Sequence, residues 1–173
     1  MKTAALPPPV ILYRDNTPRY ASTPCSGAGA AKAGGRFNRI GIEALYLSLS
    51  AQTALAEFQQ TSLYLQPGTF CSYLAELPPL VDLRQLSADG WDPIWHDWSM
   101  DWRYSLFTDH LDPPTWDMGD IATNAGYPGI IFPSVADPGG INVVLFMDAL
   151  RGKGSIAVHD PNHTLPHDDA SWR

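Results

Sequence analysis

The chain has 173 residues, 45% of them apolar and 17% charged, with a net charge of −7. That length and composition fit one folded domain with its own core and exclude wholesale disorder, while 16 Pro and 14 Gly exclude a long-helix bundle or coiled coil. The acidic balance argues against a nucleic-acid binder, and two cysteines, Cys25 and Cys71, make no disulfide framework.

The start of the chain is broken by Pro7-Pro8-Pro9, which leaves no secretory apolar region. No apolar run approaches the ~20 residues of a membrane span, so a cytoplasmic protein without a membrane partner is expected. Val10–Arg14 reads as a short strand, followed by an irregular Gly/Ala/Ser/Pro-rich loop over 15–35. Ala44–Leu49 alternates as a strand that carries Tyr46. Ser50 is an N-cap candidate for a helix over Ala51–Ser62.

Thr69–Leu77 and Leu80–Leu83 return as strands. Asp92-Pro93 is a cap followed by Pro at the first helical position. Trp91, Trp95, Trp98 and Trp102 then follow at spacings of 4, 3 and 4, which predicts one helix face running to Phe107. That stripe is read as a core or partner-facing helix rather than a base-stacking platform. Pro113-Pro114 opens a second helix to about Ala125, with Gly126 just past its end. Gly129–Pro133, Ile141–Phe146 and Ser155–Val158 read as buried strands, and a polar tail follows. The expected architecture is a single α+β domain with short mixed strands and a few helices.

Charge is unevenly placed. Residues 1–42 carry six cations (Lys2, Arg14, Arg19, Lys32, Arg36, Arg39) against Asp15, a balance of +5, and the remainder carries −12. Cations gathered in a Gly-rich stretch suit a small anion, or simply a solvated basic loop. The tail histidines His159, His163 and His167 are separated by Pro161 and Pro166, which prevents one helix from presenting them together, so no metal site is expected. No P-loop, dinucleotide-fold glycine pattern or hydrolase elbow is present.

What remains is Gly34-Gly35-Arg36-Phe37-Asn38-Arg39-Ile40-Gly41, then Tyr46, then Glu57. Glycines allow close backbone approach, Arg36 offers a fork suited to phosphate oxygens, and Tyr46 can stack a ring. Together they bring a cation, an aromatic and an acid into one strand–helix unit.

These pieces, with Leu12-Tyr13-Arg14, Ala44–Ser48, Ala54–Glu57, Gly129–Ser134 and Asn142–Phe146 in order, resemble the RES domain, the toxin half of RES–Xre toxin–antitoxin pairs. The resemblance covers about residues 10–160, taken as the domain, with 161–173 as the tail. Phe37 stands where the family often has Trp, and the Trp-rich stretch 91–120 has no clear counterpart.

The resemblance implies an ADP-ribosyltransferase-like fold, cleavage of NAD+ as substrate with no metal, and a helix-turn-helix antitoxin as partner. It places Arg14 and Arg36 on the phosphates, with Gly35 beside them. Tyr46 falls against the nicotinamide, Glu57 at the ribose as the acid, and Ser134 at the nicotinamide end. Water, phosphate or a target protein side chain would accept the ADP-ribose. From a different class, a non-enzymatic nucleotide-binding and partner-docking module also accommodates a basic Gly-rich loop and a Trp helix.

Overall fold

A computed structural model describes residues 1–60 and 62–172. The chain builds one eight-stranded mixed sheet with helices packed on it. In chain order the elements are β1 (Thr3–Ala4), β2 (Val10–Asn16), α1 (Ala28–Ala33), β3 (Ala44–Ser48), α2 (Ala51–Gln59), β4 (Thr69–Glu76) and β5 (Leu80–Asp82). After these come α3 (Trp102–Phe107), α4 (Pro114–Asn124), β6 (Gly129–Pro133), β7 (Ile141–Phe146), α5 (Met147–Leu150) and β8 (Ser155–Val158). Spatially the strands run β1-β5-β6-β7-β3-β2-β4-β8, and among the described residues only β5 and β6 pair in parallel.

The central strands are apolar on both faces because both faces are covered. Leu45 and Leu47 of β3 join Val143 and Leu145 of β7, Ile131 and Leu12 in one core. Their neighbours Ala44, Val144, Phe146, Ile130 and Phe132 join Phe37, Met118 and Trp95 in the other. Period-2 alternation in each strand divides these sets.

One seam of the sheet is nearly open. β2 pairs with β4 along its whole length, from Val10–Ala75 to Asn16–Thr69. Its other edge meets β3 at the single pair Tyr13–Ser48. Beyond that pair the strands part, and the gap between them becomes the floor of a cleft.

The Trp-rich segment departs from expectation. Instead of one helix over 92–107, Pro93–Asp97 forms a 3-10 turn and α3 starts afresh at Trp102. Asp101 caps that second start by accepting from the Tyr104 amide at 3.0 Å, and the chain redirects between the two. Trp95 and Trp102 are buried, while Trp91 and Trp98 are half-buried.

The loop over 15–35 is also more ordered than its composition suggests, since β2 runs on to Asn16 and α1 occupies 28–33. The helix expected to reach Ser62 ends at Gln59, before Gln60 at φ 48°. Thr61, on which that expectation also fell, lies outside the described residues, as does Arg173 at the end of the tail. The tail itself folds back: Asp160 accepts from the amides of Thr164 and Leu165, and Leu165 packs on the core. Among the described residues no helix is long and apolar enough to cross a membrane.

Candidate active site

The parted strands open a cleft of about 580 Å3, within the ~300–1,000 Å3 range of small-molecule sites. Arg14 lines it from β2, Gly35 and Arg36 from the loop before β3, Tyr46 from β3 and Glu57 from α2. Five of the six residues singled out in the sequence therefore face one hollow. The sixth, Ser134, stands one layer back.

Glu57 is held from behind. Ser134 Oγ donates to its Oε1 at 2.7 Å, and Asn142 Nδ2 donates to the same oxygen at 2.5 Å. Oε2 has no hydrogen-bond partner among the described residues. Ser134 is itself fixed just past β6, where its Oγ accepts from the amides of Ala136 and Asp137 at 3.1 and 2.9 Å.

The two arginines differ in how they are held. Arg36 Nη1 donates to the carbonyls of Trp98 and Met100, both at 2.8 Å, so the segment before α3 anchors the guanidinium. Burial pushes Arg36 below its ordinary pKa, and nearby Tyr46 and Glu57 partly restore it. Arg14 is half-buried and makes no ion pair or side-chain hydrogen bond among the described residues. Burial lowers its pKa as well. A guanidinium drawn out of water without a counter-charge is costly unless an anion supplies one.

The Gly-rich loop is rigid rather than adaptable. Tyr46 Oη accepts from the Phe37 amide at 2.9 Å and donates to Asn38 Oδ1 at 2.8 Å. Burial raises the phenol's pKa, so it stays protonated as that donor. Asn38 Nδ2 in turn donates to the carbonyls of Ala30, Arg39 and Ile42, and Trp116 Nε1 donates to Gly35 O at 2.7 Å.

Gly35 is needed for this closeness, because a Cβ there would lie 2.6 Å from Tyr46 Oη and against Asn38 Oδ1. Gly35→Ala is expected to cost about 1–3 kcal/mol of stability, the usual scale of overpacking, measured by urea unfolding. The same substitution also displaces Tyr46 from its place in the cleft wall.

The family profile of the RES domain matches residues 11–168. The chain belongs to the RES-domain family. It is also similar to a solved structure, the crystal structure of the M. tuberculosis MbcT–MbcA toxin–antitoxin complex. The TM-score is 0.57 at 18% identity, covering 91% of this chain and 84% of that one. That likeness supports the α+β fold. No curated protein matches.

Several residues of this RES-domain site escaped the sequence reading. The Trp-rich stretch supplies a wall: Trp102 and Arg103 line the cleft, with the Arg103 guanidinium 4.6 Å from the centre of the Trp102 ring. Asn38 and Asn142 fix Tyr46 and Glu57, and both sat inside quoted motifs without a role. Their signal was a polar residue at a buried position, legible only once the core faces are known.

The basic surplus of residues 1–42 also divides differently. Arg39 points away from the cleft to Asp112, Asp117 and Asp120 at 2.5–2.8 Å and lies 5.6 Å from the centre of the Trp116 ring. It clamps the Gly-rich loop to α4. Arg39→Ala is expected to cost about 1 kcal/mol at low ionic strength and less in concentrated salt, as partly exposed ion pairs are screened. Urea unfolding at two salt concentrations checks it.

Proposed function

We propose that this protein is the toxin of a toxin–antitoxin pair, acting in the cytoplasm by cleaving the nicotinamide–ribose bond of NAD+. The observation that carries this reading is the pairing, in one cleft, of guanidiniums with open donor positions and a carboxylate with one free oxygen. Among the described residues Arg14 makes no ion pair or side-chain hydrogen bond, and Arg36 keeps its Nε and Nη2 clear of protein acceptors. Both suit the diphosphate of a dinucleotide through charge-assisted bonds. Arg103 adds a third cation on the same wall.

The chemistry follows from the leaving group. Nicotinamide is cationic on the ribose and departs neutral, taking the bonding electron pair of the C1′–N bond, so no acid is required. Positive charge then builds on the sugar, as in glycoside cleavage. The free oxygen of Glu57 stabilises that charge and accepts from a ribose hydroxyl. Tyr46, with its hydroxyl tied into the loop, presents its ring to the nicotinamide. Ser134 acts through Glu57, which it holds, rather than by touching the substrate. An acceptor then bonds to C1′ and loses its proton to solvent. Water gives ADP-ribose, phosphate gives its phosphorylated form, and a protein side chain gives a mono-ADP-ribosylated target.

Membership of the RES family and similarity to a protein solved with its antitoxin support the toxin assignment. A helix-turn-helix protein of Xre type is the partner we assign. Mass spectrometry of NAD+ incubated with the purified chain, phosphate and cell lysate tests the reaction. One of the three products is expected. Calorimetric binding of NAD+ with no product would instead favour a nucleotide-binding module that docks a partner.

A further inference from the structure

The sheet places a buried polar pair directly behind the Glu57 carboxylate. Ser48 of β3 and Asn142 of β7 are register partners, exposed by only 3% and 5%. They sit on the face that carries Tyr46 and Val144, where the other residues of β7 are Val144 and Phe146, both apolar. Burying such a pair in an apolar face is unfavourable unless every group is bonded. Here the bonds form a chain with one direction: Ser48 Oγ donates to Asn142 Oδ1 at 2.7 Å, and Asn142 Nδ2 donates to Glu57 Oε1.

The polarity of that chain is set by the carboxylate. An ionised Glu57 only accepts, so Asn142 must turn its NH2 toward it. Its carbonyl then faces Ser48, whose hydroxyl supplies the proton. Each bond polarises the next inside a low-dielectric sheet.

We propose that Ser48 and Asn142 are positioning residues of the reaction, a relay that aims Glu57 into the cleft; this rests on the NAD+-cleaving reading above. Ser134 tethers Glu57 from the segment after β6, and a single tether leaves a three-torsion side chain free to swing about it. The second bond, delivered from the rigid centre of the sheet, fixes Oε1 and leaves Oε2 directed at the substrate. Both relay side chains reach the cleft floor behind Glu57, but their polar atoms are engaged with each other and with the carboxylate, so their loss is expected to slow turnover far more than it weakens binding.

The test is steady-state kinetics of NAD+ cleavage by the full chain and by Asn142→Asp, Asn142→Ala, Ser48→Ala and the Ser48→Ala/Asn142→Ala double variant, with thermal melting of each. Either Asn142 variant is expected to lower kcat about 100-fold, the scale of a catalytic group displaced by ~1 Å, with KM changed less than about threefold. Ser48→Ala lowers kcat about tenfold and adds nothing once Asn142 is Ala, because the two act in series. Should the Asn142 variants not fold, Ser48→Ala decides alone, since it deletes one hydroxyl and leaves the Asn142–Glu57 contact in place.

A wild-type chain that cleaves NAD+, with Asn142→Asp or Ser48→Ala equally fast, overturns the relay and leaves the NAD+ reading standing. Losses confined to KM, or a full Ser48 effect on top of Asn142→Ala, overturn it too. A wild-type chain that leaves NAD+ intact overturns the reading itself, and the relay's role with it.

Discussion

Glu57→Gln is expected to release nicotinamide about a thousandfold more slowly than the wild type, the upper range for removing one electrostatic contact to a transition state. The side chain keeps its shape, and its amide oxygen still accepts from Ser134 and Asn142, the two donors that hold Oε1. What disappears is the negative charge at the free oxygen. Binding should therefore survive: the calorimetric Kd for NAD+ stays within about threefold, because ground-state contacts run mainly through the arginines. A variant with normal turnover would move the chemistry away from α2.

Arg14→Met is expected to separate binding from stability. Loss of the charge-assisted contacts should weaken NAD+ by roughly 1.5–3 kcal/mol, about 10- to 150-fold in Kd. The empty protein should melt at or above the wild-type temperature, because a half-buried guanidinium with no protein acceptor among the described residues is replaced by an apolar side chain of similar length. Sites shaped for ligands carry such costs. Calorimetry and thermal melting read the two quantities independently. Reduced stability with unchanged Kd would make Arg14 a structural residue instead.

The elements that could be read from the sequence are those whose burial and capping are local. Ser50 caps α2 as its position suggests, accepting from the Thr53 amide at 3.0 Å. The runs of β6 and β7 are apolar on both faces and lie in the sheet's centre. Gly126 closes α4 at φ 89°, where only glycine is at ease. The strand–helix unit that carries Tyr46 and Glu57 was legible for the same reason: it is continuous in sequence.

What could not be read depends on partners far along the chain. The cleft exists because β2 spends its pairing on β4 and meets β3 at one residue, and no local pattern announces that choice. The Trp spacing satisfied a helical period, yet Asp101 restarts the helix, and the redirected backbone presents two carbonyls to Arg36. Charge counting groups Arg39 with the other cations of residues 1–42, whereas three aspartates 73 to 81 residues later claim it. Ser48 and Asn142 lie inside recognised segments, Ala44–Ser48 and Asn142–Phe146, with nothing local to mark either as functional. Their pairing across β3 and β7, and the carboxylate above them, emerge only from the sheet register.

A time course of nicotinamide release from NAD+ by the purified chain, with phosphate and lysate present, beside the Glu57→Gln variant, decides whether this cleft cleaves the dinucleotide through Glu57. Many equivalents of nicotinamide per protein are expected from the wild type and almost none from the variant. Intact NAD+ in both, or equal release from both, would contradict that role for Glu57.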